Sequence, residues 1–144
     1  MTPPVGGWVS GLAPLEIVLS INNKVGALAE VTQALAEAGV NVTGLTLGRH
    51  PDRHNLRLIV DKPAVAIAAL ALAGYKAKRN EVHTHRVHNR PGAIAAATQK
   101  LAKHGINVEA VFLSAKTSKG VDLVFQVDDV EAARRALRKP AGED

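Results

Sequence analysis

The chain has 144 residues, of which 47% are hydrophobic and only 3% aromatic, and it contains no cysteine. That is enough apolar material for an aliphatic, Ala-rich core, and it excludes disulfides and thiolate metal sites. The formal charge is +5, but the basic residues are spread along the chain. The one cluster, Arg134, Arg135, Arg138 and Lys139, ends a helix pattern where cations complement the helix dipole, so it reads as solvated surface and not as a nucleic-acid interface.

The N-terminus, Met1 to Trp8, is broken by Pro and Gly and has no basic leader region, and no apolar run is long enough to span a bilayer. The expectation is a soluble, cytoplasmic protein without a membrane partner. Leu15 to Ile21 alternates, with Ile17, Leu19 and Ile21 on one face of a half-buried strand. From Gly26, Leu28, Val31, Leu35 and Ala38 follow helical spacing, and Gly39 supplies the stop. Asn41 to Gly48 reads as a second strand. His50 to Asn55 has turn chemistry, and Leu56, Leu58 and Val60 make a third strand. Pro63 suits a first helical turn; Val65 to Ala73 is a second helix ended by Gly74, and Tyr75 to Arg79 a fourth strand.

The order then repeats. Asn23-Lys24-Val25-Gly26-Ala27-Leu28 is echoed by Asn89-Arg90-Pro91-Gly92-Ala93-Ile94, and Gly39-Val40-Asn41-Val42 by Gly105-Ile106-Asn107-Val108. The offset is 66 residues at every glycine of the pattern. A repeated unit sets the architecture before any finer reading. The second copy predicts a strand over Val82 to Val87, a helix over Gly92 to His104, and a strand over Asn107 to Ser114. A turn at Thr117 to Gly120, a strand over Val121 to Val127 and a helix over Val130 to Leu137 follow.

The predicted class is α+β: two ferredoxin-like βαββαβ modules with antiparallel sheets and helices on one face. The expected domains are 15–81 and 82–139, with an N-terminal extension at 1–14 and a tail at 140–144. Pro140-Ala141-Gly142-Glu143-Asp144 cannot form a strand, so the second module lacks its own fourth strand. That leaves an open edge beside Val82 to Val87, which invites pairing. The segment around Trp8-Val9, or another chain, is expected to cover it, and the protein to be a homodimer.

The loop–helix–Gly–strand string, present twice, resembles the ACT domain, a small regulatory module that binds amino acids in many metabolic enzymes. Asn89-Arg90-Pro91-Gly92 is especially similar to the loop of the serine-binding ACT domain of phosphoglycerate dehydrogenase. There one Asn lies in the loop, and another at the start of the second strand reaches the ligand from the facing domain. The resemblance places those roles on Asn89 and Asn107, and on Asn23 and Asn41. The family's His two residues before the loop Asn is here Ile21 or Val87, which implies a less polar side-chain pocket. The full candidate set for ligand binding is Asn22, Asn23, Gly26, Ala27, Leu28, Asn41, His88, Asn89, Gly92, Ala93, Ile94 and Asn107.

The physical case is independent of the resemblance. A helix N-terminus offers unpaired N–H groups and the positive end of the dipole to a carboxylate. A glycine there lets the ligand approach the backbone, and an Asn amide can accept from an ammonium and donate to a carboxylate. The plainer alternative is that Asn23 and Asn89 are N-caps and that Asn41 and Asn107 are polar turn residues.

His83 and His85 share one strand face, with His88 three residues on, and could hold a transition metal. By the repeat they replace Ile17 and Leu19, so partly buried histidines at a sheet edge or domain interface are the favoured reading, and no metal is expected. His50, His54 and His104 read as loop or surface residues. Asp128-Asp129 lies where a helix begins and suits that N-terminus. No nucleophile elbow, phosphate loop or dinucleotide fingerprint is present, so no catalytic residue and no cofactor are assigned. The third strands, Leu56 to Val60 and Val121 to Phe125, hold a single Phe and cannot be an RNA-stacking platform.

The sequence therefore predicts a non-enzymatic tandem ACT sensor that binds a small amino acid and relays its occupancy to a partner. One alternative is a regulatory subunit of an amino-acid biosynthetic enzyme, similar in role to the small subunit of acetolactate synthase. Another is a metal-responsive sensor using His83 and His85.

Overall fold

The computed structural model describes residues 14–51 and 53–138. The N-terminal segment with Trp8-Val9 and the tail 140–144 lie outside the described residues, as does the role given to Trp8-Val9 at the open edge. The chain divides into two compact units, with the boundary between Asn80 and Glu81.

In the first unit, β1 (Leu15–Asn22), α1 (Ala27–Glu37), β2 (Val42–Gly48), β3 (Arg53–Val60), α2 (Pro63–Leu72) and β4 (Lys78–Glu81) follow in order. The sheet order is β2-β3-β1-β4. β3 runs antiparallel to both neighbours, with Leu58 opposite Ile17 and Leu45, and Leu56 opposite Leu19 and Leu47. Alternation puts these side chains on one face. There Ile17, Leu19, Leu56 and Leu58, with Leu47 partly buried against them, form a single core with Ala27, Val31 and Leu35 of α1 and Ala66 and Leu70 of α2, while Leu45 stays exposed. The spacing of Ala27, Val31 and Leu35 is a narrow helical stripe, so burying it against the sheet is what holds α1 in place.

The second unit repeats this with β5 (His83–Val87), α3 (Ala93–Lys103), β6 (Val108–Thr117), β7 (Gly120–Val127) and α4 (Val130–Leu137). Its sheet has the order β5-β7-β6, three strands among the described residues. Val87, Val121, Leu123 and Phe125 pack under Ala97 and Leu101 of α3 and Ala133 and Leu137 of α4. Both modules are thus α+β with antiparallel pairing.

The glycines of the repeat close the helices in the same way. After α1, the N–H of Gly39 donates to the carbonyl of Ala36 at 3.0 Å and that of Val40 to Leu35 at 3.0 Å. After α3, Gly105 donates to Ala102 and Ile106 to Leu101, both at 3.0 Å. This is the Schellman arrangement, and Val40 and Ile106 each pack back on the leucine whose carbonyl they cap.

Three expectations shift. The turn at 50–55 is shorter than expected, because Arg53, His54 and Asn55 already pair with Asn22, Ile21 and Ser20. The fourth strand begins at Lys78 instead of Tyr75. Tyr75 and Ala77 pack against the first core, so the apolar alternation that suggested a strand there reports core packing. β6 continues three residues beyond Ser114, through a register shift after Leu113.

Candidate functional site

The loop His88–Gly92 carries the chain from β5 into α3. Pro91 removes one N–H, and Gly92 takes φ +87, ψ −12, a left-handed conformation that suits only glycine without strain. The same turn occurs at Gly26, with φ +88 and ψ −9. Neither helix has a side-chain cap at this end, so Asn23 and Asn89 are not N-caps. Ala93 donates to the carbonyl of Arg90 at 3.3 Å and Ala96 to that of Gly92 at 2.9 Å. The first N–H groups of a helix have no acceptor within the helix, so the positive end of α3 faces this loop.

A cavity of about 200 Å³ opens against this helix start. Its walls are His85 and Val87 of β5, the loop from His88 through Arg90, Pro91 and Gly92, and Ala93, Ala96, Ala97 and Lys100 of α3. The volume suits a ligand smaller than a drug-sized molecule. The three alanines keep the wall low. A helical Cβ tilts toward the N-terminus, so Lys100 reaches back along the same face toward Ala93. Arg90 and Lys100 bring two basic side chains to the wall, and among the described residues no carboxylate lines the cavity.

Of the expected residues, His88, Gly92 and Ala93 meet here. Asn89 lines an adjoining groove of about 640 Å³ with the hairpin Thr117 to Gly120. Ile94 is exposed. Asn107 follows the C-terminus of α3, about 16 Å of helix from the loop at 1.5 Å per residue, so one module cannot bring Asn89 and Asn107 to one ligand. The main-chain N–H of Asn107 donates to the Asp128 carboxylate at 3.1 Å, and that of Asn41 to Asp61 at 2.9 Å. In the first module, Asn22 accepts from Arg53 at 2.9 Å. A cavity of about 470 Å³ there is lined by Val18, Ser20, Arg53, Tyr75 and Lys78 among others. None of Asn22, Asn23, Gly26, Ala27, Leu28 and Asn41 contributes to its wall.

Residue-level reading missed His85, Arg90 and Lys100. The signal for Lys100 was present: Ala93, Ala96, Ala97 and Lys100 have the spacing of one helix face. Val87 gives the cavity an apolar wall beside His85, Arg90 and Lys100.

His83 stands on the same face of β5 as His85, opposite Phe125. Its Nε2 is buried without a hydrogen-bond partner. Burial, then the neighbouring His85 and Arg134, push its pKa down to about 4. Among the described residues no three His, Cys, Asp or Glu side chains gather as a metal cluster. Asp129 does cap α4, accepting from the N–H of Ala132 at 3.0 Å. Among the described residues no helix is long and apolar enough to cross a membrane.

Comparison with known proteins agrees with this architecture. Residues 13–139 match the family model of the ACT domain pair. A crystal structure of a protein from Bacteroides thetaiotaomicron superposes with a TM-score of 0.81 at 26% identity, covering 87% of this chain and 86% of that one. The ligand-free regulatory subunit of aspartate kinase from Thermus thermophilus gives 0.66 at 28% identity, covering 89% and 93%. The Thermus flavus regulatory subunit of aspartate kinase gives 0.65 at 28%, covering 88% and 91%. No curated protein matches the chain. With two βαβ-built modules, a glycine-led helix start in each and a family match across both, the chain belongs to the ACT domain pair family of regulatory proteins.

Proposed function

We propose that the protein is a non-enzymatic sensor that binds a small free amino acid at the β5–α3 junction and passes its occupancy to a protein partner. The observation that carries this is the cavity at the start of α3, at the loop where the repeat places a glycine and a helix N-terminus. An amino acid's carboxylate would take the N–H groups of Ile94 and Ala95, and its side chain would lie along Ala93, Ala96 and Val87. Because Asn89 and Asn107 sit at opposite ends of α3, completing the site with a second-strand Asn requires a module other than this one, as a homodimer partner would supply. A thermal-shift series with the standard amino acids at millimolar concentration tests the reading, since a ligand of the folded state raises the melting temperature by mass action. No shift with any of them would refute it.

A second reading is a regulatory subunit of an amino-acid biosynthetic enzyme. It is favoured by the similarity, over nine-tenths of their length, to regulatory subunits of aspartate kinase. Co-purification of an amino-acid biosynthetic enzyme from native lysate, released or retained according to amino acid added, would support it.

A further inference from the structure

The cavity of the first module, about 470 Å³, opens beside β1 and has the volume of a small-molecule pocket. Alternation turns Val18 and Ser20 to the face of β1 opposite Ile17, Leu19 and Ile21. Across the ladder Ser20 pairs with Asn55, and Asn22 with Arg53, so these polar residues share that face. Beyond α2, Tyr75 and Ala77 are drawn onto the core. The alternate residues, Lys76 and Lys78, are thereby turned outward, and both are exposed. Ser20, Arg53, Asn55, Lys76 and Lys78 all line the one cavity. The second module treats the equivalent ladder position differently. There Arg86 and Asp122 replace Ser20 and Asn55 and bond to each other, with the carboxylate buried. In the first module the position is open: Ser20 and Asn55 are both exposed. Arg53 is held beside them. One Nη donates to the Asn22 side-chain oxygen and the other to the Ser20 carbonyl, each at 2.9 Å. These bonds orient the guanidinium plane without using its Nε–H.

We propose that this cavity binds a phosphate monoester of a small metabolite, at a site separate from the amino-acid site at α3. Arg53, Lys76 and Lys78 gather like charge around one space, and a dianion relieves their mutual repulsion more than a monoanion does. A phosphate monoester carries a charge of about −1.5 to −2 near neutral pH and three strong acceptor oxygens. An oriented guanidinium takes two of those oxygens in parallel, and the lysines act as point charges on the third. The Ser20 hydroxyl and the Asn55 amide add neutral donors and acceptors for hydroxyl groups of the esterified part. Val18 offers that part an apolar surface. The Glu30 carboxylate accepts from the Tyr75 hydroxyl and is not part of the wall.

The test is calorimetry on the full chain at low ionic strength, with glycerol phosphate, inorganic phosphate and succinate as probes. Glycerol phosphate should bind at least tenfold more tightly than succinate, which has the charge but not the tetrahedral oxygens. Arg53→Lys keeps the charge and loses the fork, and should weaken glycerol phosphate about tenfold. Lys76→Gln and Lys78→Gln should each weaken it severalfold. Lys116→Gln, which removes the same charge from β6, should leave it unchanged. The lysines are exposed, so their variants test the site without endangering the fold, and circular dichroism with melting checks all four. Absence of glycerol phosphate binding at millimolar concentration, or binding of inorganic phosphate without the ester, would overturn the proposal. So would succinate binding as tightly as the ester. An equal loss in Lys116→Gln and Lys78→Gln would reduce the effect to diffuse attraction by a basic protein and overturn it as well. The amino-acid series above addresses the other cavity, so either reading can fail while the other stands.

Discussion

The rings of His83 and His85 stack on one another, with centroids 6.0 Å apart and planes inclined by 26°. They do so where the first module has Ile17 and Leu19, both buried. The pair sits on the helix-facing side of β5, and His83 is the more enclosed, its Nε2 buried without a partner. Charging His83 would bury an uncompensated cation beside Arg134, which is why its pKa falls to about 4 from an ordinary 6.5.

Acid sensitivity follows from the sign of that shift. Between pH 6.5 and about 4 the unfolded chain takes up a proton that the folded chain refuses. The His83 contribution to stability is therefore full above the upper value and lost as pH falls through that window. His83→Ile, the residue the repeat suggests, should flatten the fall in melting temperature over that range. The difference between variant and parent isolates His83 from Glu16, whose burial raises its pKa and so gives the opposite slope. Parallel pH profiles would disprove the assignment.

Two glycines should respond to alanine for different reasons. At Gly92 an added Cβ would meet no atom within 4 Å, so the cost is backbone strain alone at φ +87, about 1 kcal/mol. At Gly120 the Cβ would lie 2.3 Å from the carbonyl oxygen of Val87, and neither backbone can move without breaking the β5–β7 ladder. Gly120→Ala should cost about 3 kcal/mol. Urea unfolding of both variants gives the comparison, and equal losses would contradict it. Gly92→Val would in addition project into the space beside the helix start and should abolish ligand binding.

Asn41 and Asn107 are tied to the chain that follows the next strand in the same way in both copies. Asp61 and Asp128 each accept from the Asn main-chain N–H and donate their own N–H to the Asn carbonyl, at 3.1 Å and 3.2 Å. Asp61→Ala and Asp128→Ala should each cost about 1 kcal/mol, the typical net value of one such bond. Each pair belongs to its own sheet, so the double variant should show the two losses added. Denaturant midpoints of the singles and the double check this.

The β5–β7 pair carries one buried ion pair. Arg86 Nε and an Nη donate to the two oxygens of Asp122 at 2.7 and 3.0 Å. Asp122 is almost wholly buried, while the guanidinium keeps partial access to water. Asp122→Ala should therefore cost about 2 kcal/mol, less than if both partners were enclosed. Arg86→Ala, which strands the carboxylate instead, should cost more. Chemical denaturation of the two variants gives the order, and the reverse order would show that the pair is more open than its geometry implies.

The amino-acid sequence by itself determined the repeat, the order of elements and the core faces. Alternation in Ile17, Leu19 and Ile21, the stripe Ala27, Val31 and Leu35, and the glycine stops are local patterns tied to a period of two or 3.6 residues. The family resemblance was legible for the same reason, because the motif is a contiguous string. The start of β4 was not legible: Tyr75 and Ala77 alternate like strand residues but are drawn onto the core. Nor was the composition of the cavity. His85, Arg90 and Lys100 come from a strand, a loop and the third turn of a helix, and only the packing of α3 on β5 makes them neighbours. The same packing separates Asn89 from Asn107, because a helix of eleven residues lies between them. Periodicity reports which way a side chain faces; which facing side chains share a space is decided by how the layers close.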